Sequence, residues 1–268
     1  MTRPMLKTLI KDIVRKAFRM LGLTVQRGGM RATMEDALRH IRRQGVMPAT
    51  VIDVGVAYGT KELYEVYPEP RYMLIEPLEE YRPTLEGICR RVKGDFMIAA
   101  VSDHAGTASF NVHDILSGSS LLKESDGAIA DGKAREVPTV TLDGVVKEKG
   151  LTGPFLIKLD TQGADLLVLA GASETLKQTE AVLVEAFLFQ FFVGGPQLHD
   201  LVLFMKDRGF LACDIFGGAR RPIDGALAHV DIVFARDGSI LRRTHHFATP
   251  EQRMKINRPA GSGDPLLR

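Results

Sequence analysis

At 268 residues, 45% hydrophobic and 25% charged, the chain has the apolar material for one α/β domain with short extensions at each end. Its two cysteines, Cys89 and Cys213, lie far apart in apolar contexts, which excludes a disulfide framework and suits a reducing compartment. Net charge is only +2, yet residues 1–31 carry eight Lys or Arg against Asp12 alone, so the remaining body is mildly acidic and shows no nucleic-acid footprint.

The sequence predicts a basic amphipathic helical extension over residues 1–44. Leu6, Leu9, Ile10, Ile13, Val14, Ala17 and Leu21 recur at helical spacing, with Lys7, Lys11, Arg15 and Arg19 on other faces. Such a helix either lies on an anionic membrane surface or packs on its own domain or on a second subunit. After Gly28-Gly29, a second helix over 33–43 leads to Gly45 and Pro48. The N-terminus has no signal-peptide core, and the longest near-apolar run, 181–193, is too short for a membrane span and is broken by Glu185 and Gln190. A cytoplasmic protein is expected, either free or peripheral at the inner membrane surface.

The catalytic-size domain, 45–248, begins with a strand at 51–54 and a helix from Gly59 to Tyr67. Next come a strand at 72–75 ending in Glu76-Pro77, a helix at 79–92 and a strand at 96–101 ending in Ser102-Asp103. This alternation implies a doubly wound, Rossmann-like parallel sheet with right-handed crossovers. TASFNV and VPTVTL then interrupt it, separated by a polar, glycine-rich stretch at 117–135 that suits an active-site lid. Alternation resumes with strand 154–160, helix 164–177, strand 181–187 and helix 197–208. Strands 211–216 and 229–235 follow, joined by a hairpin-length GGARRPIDGA, so the last strand should run antiparallel. The tail, 249–268, has no periodicity and is expected to be extended or disordered.

The first strand and turn, VIDVGVAYGT, place Asp53 inside an apolar run just before Gly55 and Gly59. A nicotinamide dinucleotide site would show G-x-G-x-x-G, with a helix N-terminus against the pyrophosphate. Here the spacing is G-x-x-x-G behind a carboxylate, which favours a ligand carrying an ammonium or sulfonium group. Glu76, ending the second strand, stands where an acid accepts both hydroxyls of a ribose. Asp103, ending the third, suits either an adenine amino group or a turn cap before Gly106. In LIKLD, Lys158 lies mid-strand on the same face as Asp160 and needs a carboxylate partner, Asp160 or Glu185 being nearest in the sequence pattern. Asp160 and Glu185 end adjacent strands, as general base, cofactor anchor or ligands of a divalent metal, though no diagnostic metal spacing is present. His113 and His199 are further bases to test.

DVGVAYG, LIEP, AAVSDHAG, VTLD, FLIKLDTQGADLLVLAGA, VLVEAF and the final GF…VDIVFAR resemble, in order, the motifs of the FkbM-type S-adenosylmethionine-dependent methyltransferases over about 45–237. The resemblance implies a sheet of about seven strands and methyl transfer to an oxygen of a sugar, or of a glycosylated or polyketide product. It assigns Asp53, Gly55 and Gly59 to the methionine end of S-adenosylmethionine, Glu76 to the ribose, and Ser102 and Asp103 to the adenine. Gln162 and Asp165 depart from the pattern, where many members carry Glu at both positions. The competing functions are an NAD-linked oxidoreductase and a non-catalytic Rossmann-like binding protein.

Overall fold

The computed structural model describes residues 31–127 and 130–257. The basic helix expected over 6–21 lies outside them, as do the last residues of the tail. Helix α1 (Met34–Arg43) is capped by Thr33, whose side chain accepts from the Asp36 N–H, and it buries Ala37, Leu38 and Ile41.

The body is a seven-stranded sheet in the order β3-β2-β1-β7-β8-β10-β9. Its first half is β1 (Thr50–Val54), α2 (Lys61–Val66), β2 (Arg71–Glu76), α3 (Arg82–Cys89) and β3 (Gly94–Ile98). The second half is β7 (Phe155–Leu159), α5 (Asp165–Ala170), α6 (Ser173–Lys177), β8 (Thr179–Phe187), α7 (Leu198–Asp207), β9 (Phe210–Arg220) and β10 (Leu227–Arg236). β10 runs antiparallel between β8 and β9, as the hairpin length predicts. Side-chain alternation divides the core between the two faces. Ile52, Val54, Ile157 and Leu159 pack with residues of α5–α7, whereas Val51 and Leu156 pack with residues of α1–α3.

Four elements differ from the sequence expectation. The strand expected over 96–101 splits, because after β3 the chain leaves the large sheet. β4 (Ala100–Val101) instead joins β6 (Lys133–Val140) and β5 (Gly106–Val112) in a three-stranded sheet ordered β4-β6-β5, from which α4 (Leu142–Glu148) leads back. The 164–177 helix breaks at Gly171, where an added Cβ would lie 2.2 Å from the Ser102 carbonyl oxygen; the close approach of the β4 end leaves no room for a side chain. The 79–92 helix starts as a 3-10 turn, Glu79–Tyr81, with Pro83 in the first turn of α3. Within the tail, α8 (Pro250–Ile256) forms where an extended chain was expected. The Thr249/Gln252 capping box and Pro250 start it, but no residue is buried, so no apolar periodicity marked it.

Candidate active site

In this sheet the strand order reverses between β1 and β7, the place where an open α/β sheet opens a crevice at the carboxyl ends of its strands. A cavity of about 370 Å³ lies there, within the range of small-molecule sites. Gly55 makes the crevice possible. Its φ is +72° and a Cβ would fall 1.9 Å from the Asp160 carbonyl oxygen, so the turns after β1 and β7 touch through backbone alone. The Asp160 N–H donates to the Val54 carbonyl at 3.1 Å, and the Gly55 N–H to that of Ile75 at 2.9 Å.

Glu76 forms the wall at the end of β2 and is only 5% exposed. One carboxylate oxygen accepts from the Ala57 N–H at 3.0 Å and the other from the Leu78 N–H at 3.1 Å. Burial raises its pKa, opposed by those two amides. Beside it, Ala99, Ala100, Val101, Phe110, Leu116 and Leu121 make an apolar wall. Ser117, Ser119 and Leu121 bring in the glycine-rich stretch expected as a lid. That stretch is tied to the segment after β8 by Ser125 N–H to the Phe191 carbonyl at 2.7 Å and Val193 N–H to that of Lys123 at 2.8 Å.

The floor carries a buried charge chain. Asp53 and Lys158 face each other in the β1–β7 register. The Lys158 ammonium lies 3.3 Å from Asp53 and 3.6 Å from Asp160, and donates to the Gly55 carbonyl at 3.1 Å. Burial pulls its pKa down, but the two carboxylates outweigh that and hold it charged. The Tyr64 hydroxyl donates to the other Asp53 oxygen at 2.7 Å. Asp160, with its side chain 45% exposed, lines the cavity and accepts from the Gln162 amide at 2.8 Å.

Of the residues singled out from sequence, Gly55, Gly59, Glu76 and Asp160 line this cavity together. Four do not. Asp53 is fully buried, and its counter-ion is Lys158; of the two partners expected for Lys158, Asp160 is present and Glu185 is not, with Asp53 added. Ser102 and Asp103 follow β4, beyond the point where the chain has left the large sheet; Ser102 donates to Asp103, and Asp103 contacts His104. Ala99 to Val101 occupy the wall instead.

Glu185 lies opposite Asp231 in the β8–β10 register, against His229, and lines a separate small recess with Asp165, Phe187 and Gln197. Burial, then the charges of Asp160, Asp165 and Asp231, push its carboxyl up to about 8. Asp165, buried and accepting from the Thr161 hydroxyl at 2.8 Å, is pushed up to about 6. Among the described residues no group of three or more His, Cys, Asp and Glu side chains is placed to hold a metal ion, and Asp160 and Glu185 open on different recesses, so a shared divalent metal does not fit. His113 sits 3.6 Å from Glu124 and His199 3.5 Å from Asp200, and neither lines the cavity.

Sequence reasoning missed the apolar wall and the Asp53–Lys158 pair. In the structure Asp53 and Lys158 are each fourth in a five-residue strand, a match hidden by the expected bounds of 51–54 and 154–160.

The model of the methyltransferase FkbM domain matches residues 53–212, from Asp53 through the start of β9. The chain belongs to the FkbM methyltransferase family. No curated protein matches it. The chain is similar to solved structures at low identity and low TM-score. The 1,6-didemethyltoxoflavin-N1-methyltransferase of Burkholderia thailandensis, with bound 1,6-didemethyltoxoflavin and S-adenosylhomocysteine, is 12% identical, covers 75% of this chain and 77% of its own, and has a TM-score of 0.39. The precorrin-6y C5,15-methyltransferase of Geobacter metallireducens is 11% identical over 77% and 90%, with a TM-score of 0.39. An rRNA methylase from Streptococcus thermophilus is 8% identical over 75% and 93%, with a TM-score of 0.40. Among the described residues, no helix of this FkbM methyltransferase is long and apolar enough to cross a membrane.

Proposed function

We propose that this FkbM methyltransferase moves a methyl group from S-adenosylmethionine to a hydroxyl of a sugar, glycolipid or secondary metabolite. The observation that carries the donor assignment is Glu76. It stands in the cavity wall with each oxygen fixed by one backbone N–H, which leaves each oxygen a further lone pair for the two hydroxyls of a ribose. The apolar wall from Ala99 to Leu121 suits an adenine face, and the Gly55–Gly59 turn and Asp160 suit the methionine end. When bound, the donor supplies an electrophilic methyl carbon on a sulfonium.

For a hydroxyl acceptor the chain must align the attacking oxygen and receive its proton. Asp160 is the half-exposed carboxylate of the cavity, held in place by Gln162 and Lys158, and takes the role of base. The mildly acidic body speaks for a small-molecule or glycan acceptor over nucleic acid. Gly-x-x-x-Gly spacing speaks against a nicotinamide dinucleotide.

Untargeted mass spectrometry of a strain lacking the gene should reveal a hydroxyl-bearing product short of one methyl group. The wild-type chain should restore it and Asp160→Asn should not. Full restoration by Asp160→Asn would remove Asp160 from the chemistry. A missing methyl on nitrogen or carbon would overturn the hydroxyl assignment.

A further inference from the structure

Lys158 is a cation in the floor of a cavity assigned to a cationic donor, and that needs an electrostatic account. Its ammonium has three partners: Asp53 at 3.3 Å, Asp160 at 3.6 Å and the Gly55 carbonyl at 3.1 Å. With Asp53 fully buried and Lys158 nearly so, only Asp160 of the three is substantially open to the cavity. The three side chains Asp53, Lys158 and Asp160 sum to one net negative charge. Without Asp53 it would be zero.

We infer that Asp53, acting through Lys158 and without touching the ligand, sets the preference of the site for a sulfonium donor over its neutral thioether product. This rests on the donor assignment made above. S-Adenosylmethionine and S-adenosylhomocysteine share adenine, ribose and the amino-acid end, and they differ by one methyl group and one positive charge at sulfur. Glu62 and Glu76, the other charged residues of the lining, are the same in every variant compared below, so their pull on the sulfonium cancels from any change in the ratio of the two affinities. The ratio of the two affinities therefore isolates the charge beneath the sulfur from contacts that hold the shared parts. Asp53 and Lys158 are positioning residues in this account. Lys158 ties the Gly55 turn to Asp160, and Asp53 neutralises Lys158 so that Asp160 keeps its field.

The test is a charge cycle read by calorimetry on the full chain, with no acceptor present. Asp53→Asn keeps the shape, leaves Tyr64 an acceptor and leaves Lys158 paired with Asp160. It should weaken S-adenosylmethionine relative to S-adenosylhomocysteine on the order of tenfold, the size of one unit charge acting through protein over about 10 Å. The double variant Asp53→Asn with Lys158→Met returns the net charge to minus one and should restore the wild-type ratio. Circular dichroism confirms that each variant is folded. A ratio unchanged in Asp53→Asn, or shifted equally in the double variant, overturns the inference while leaving the donor site standing. Binding of neither compound to the wild type overturns the donor assignment, and this inference with it.

Discussion

Glu185 shows what burial does to a carboxyl that sequence position alone offers as a catalytic group. Its pKa, raised to about 8 chiefly by burial, means that the folded protein holds a proton there which the unfolded chain releases near the ordinary value of 4.5. Between those values the native state binds more protons, so this group's contribution to stability is full below about pH 4.5 and is lost as pH rises through about 8. Burial likewise lowers the pKa of His229, so near neutral pH the contact joins a protonated carboxyl to a neutral imidazole. Glu185→Gln should match the wild type in denaturant titrations at low pH and exceed it by a few kcal/mol at pH 8. Equal pH dependence in both proteins would show that the carboxyl is ionised in the fold. Residue types were legible at this scale, as was the contact of Lys158 with Asp160 on its own strand end, but neighbours across strands were not. The sequence pattern marks Lys158 as needing an anion, yet the choice of Asp53 depends on β1 lying beside β7, which no local pattern states.

Ser120 governs how the excursion between β5 and β6 meets the cavity. Fully buried, its hydroxyl donates to the Gln162 carbonyl at 2.7 Å and accepts from the Leu122 N–H at 3.0 Å, tying the cavity-lining Leu121 to the turn after β7. Ser120→Ala leaves both groups without that partner and should cost about 1–3 kcal/mol in urea denaturation. Thr141→Ala, which removes the cap of α4, should cost about 1 kcal/mol at a residue outside the cavity lining. Only Ser120→Ala should also weaken S-adenosylhomocysteine binding; equal weakening by both would remove Ser120 from the site. Strands and helices were largely legible because apolar alternation reports them. FMIAAV, however, is one apolar run, and nothing in it marks where the chain leaves the large sheet. That single unmarked departure is why Ala99–Val101 line the cavity and Ser102 and Asp103 do not.

For the whole molecule, a 3-2-1-7-8-10-9 sheet with its cavity at the reversal point follows from alternating elements, right-handed crossovers and a closing hairpin. The sheet by itself would serve a dinucleotide or a methyl donor equally well. The choice between them lies in a few residues at the first two strand ends: Gly55 and Gly59 without a third glycine, and Glu76 clamped by two amides. The decisive measurement is calorimetric titration of the purified full chain with S-adenosylhomocysteine and with NADH, repeated on Glu76→Ala. Saturable one-to-one binding of S-adenosylhomocysteine is expected, weakened at least about tenfold in Glu76→Ala through loss of charge-assisted hydrogen bonds to the ribose, with no heat from NADH. Tight binding of NADH with no response to S-adenosylhomocysteine would contradict the donor assignment.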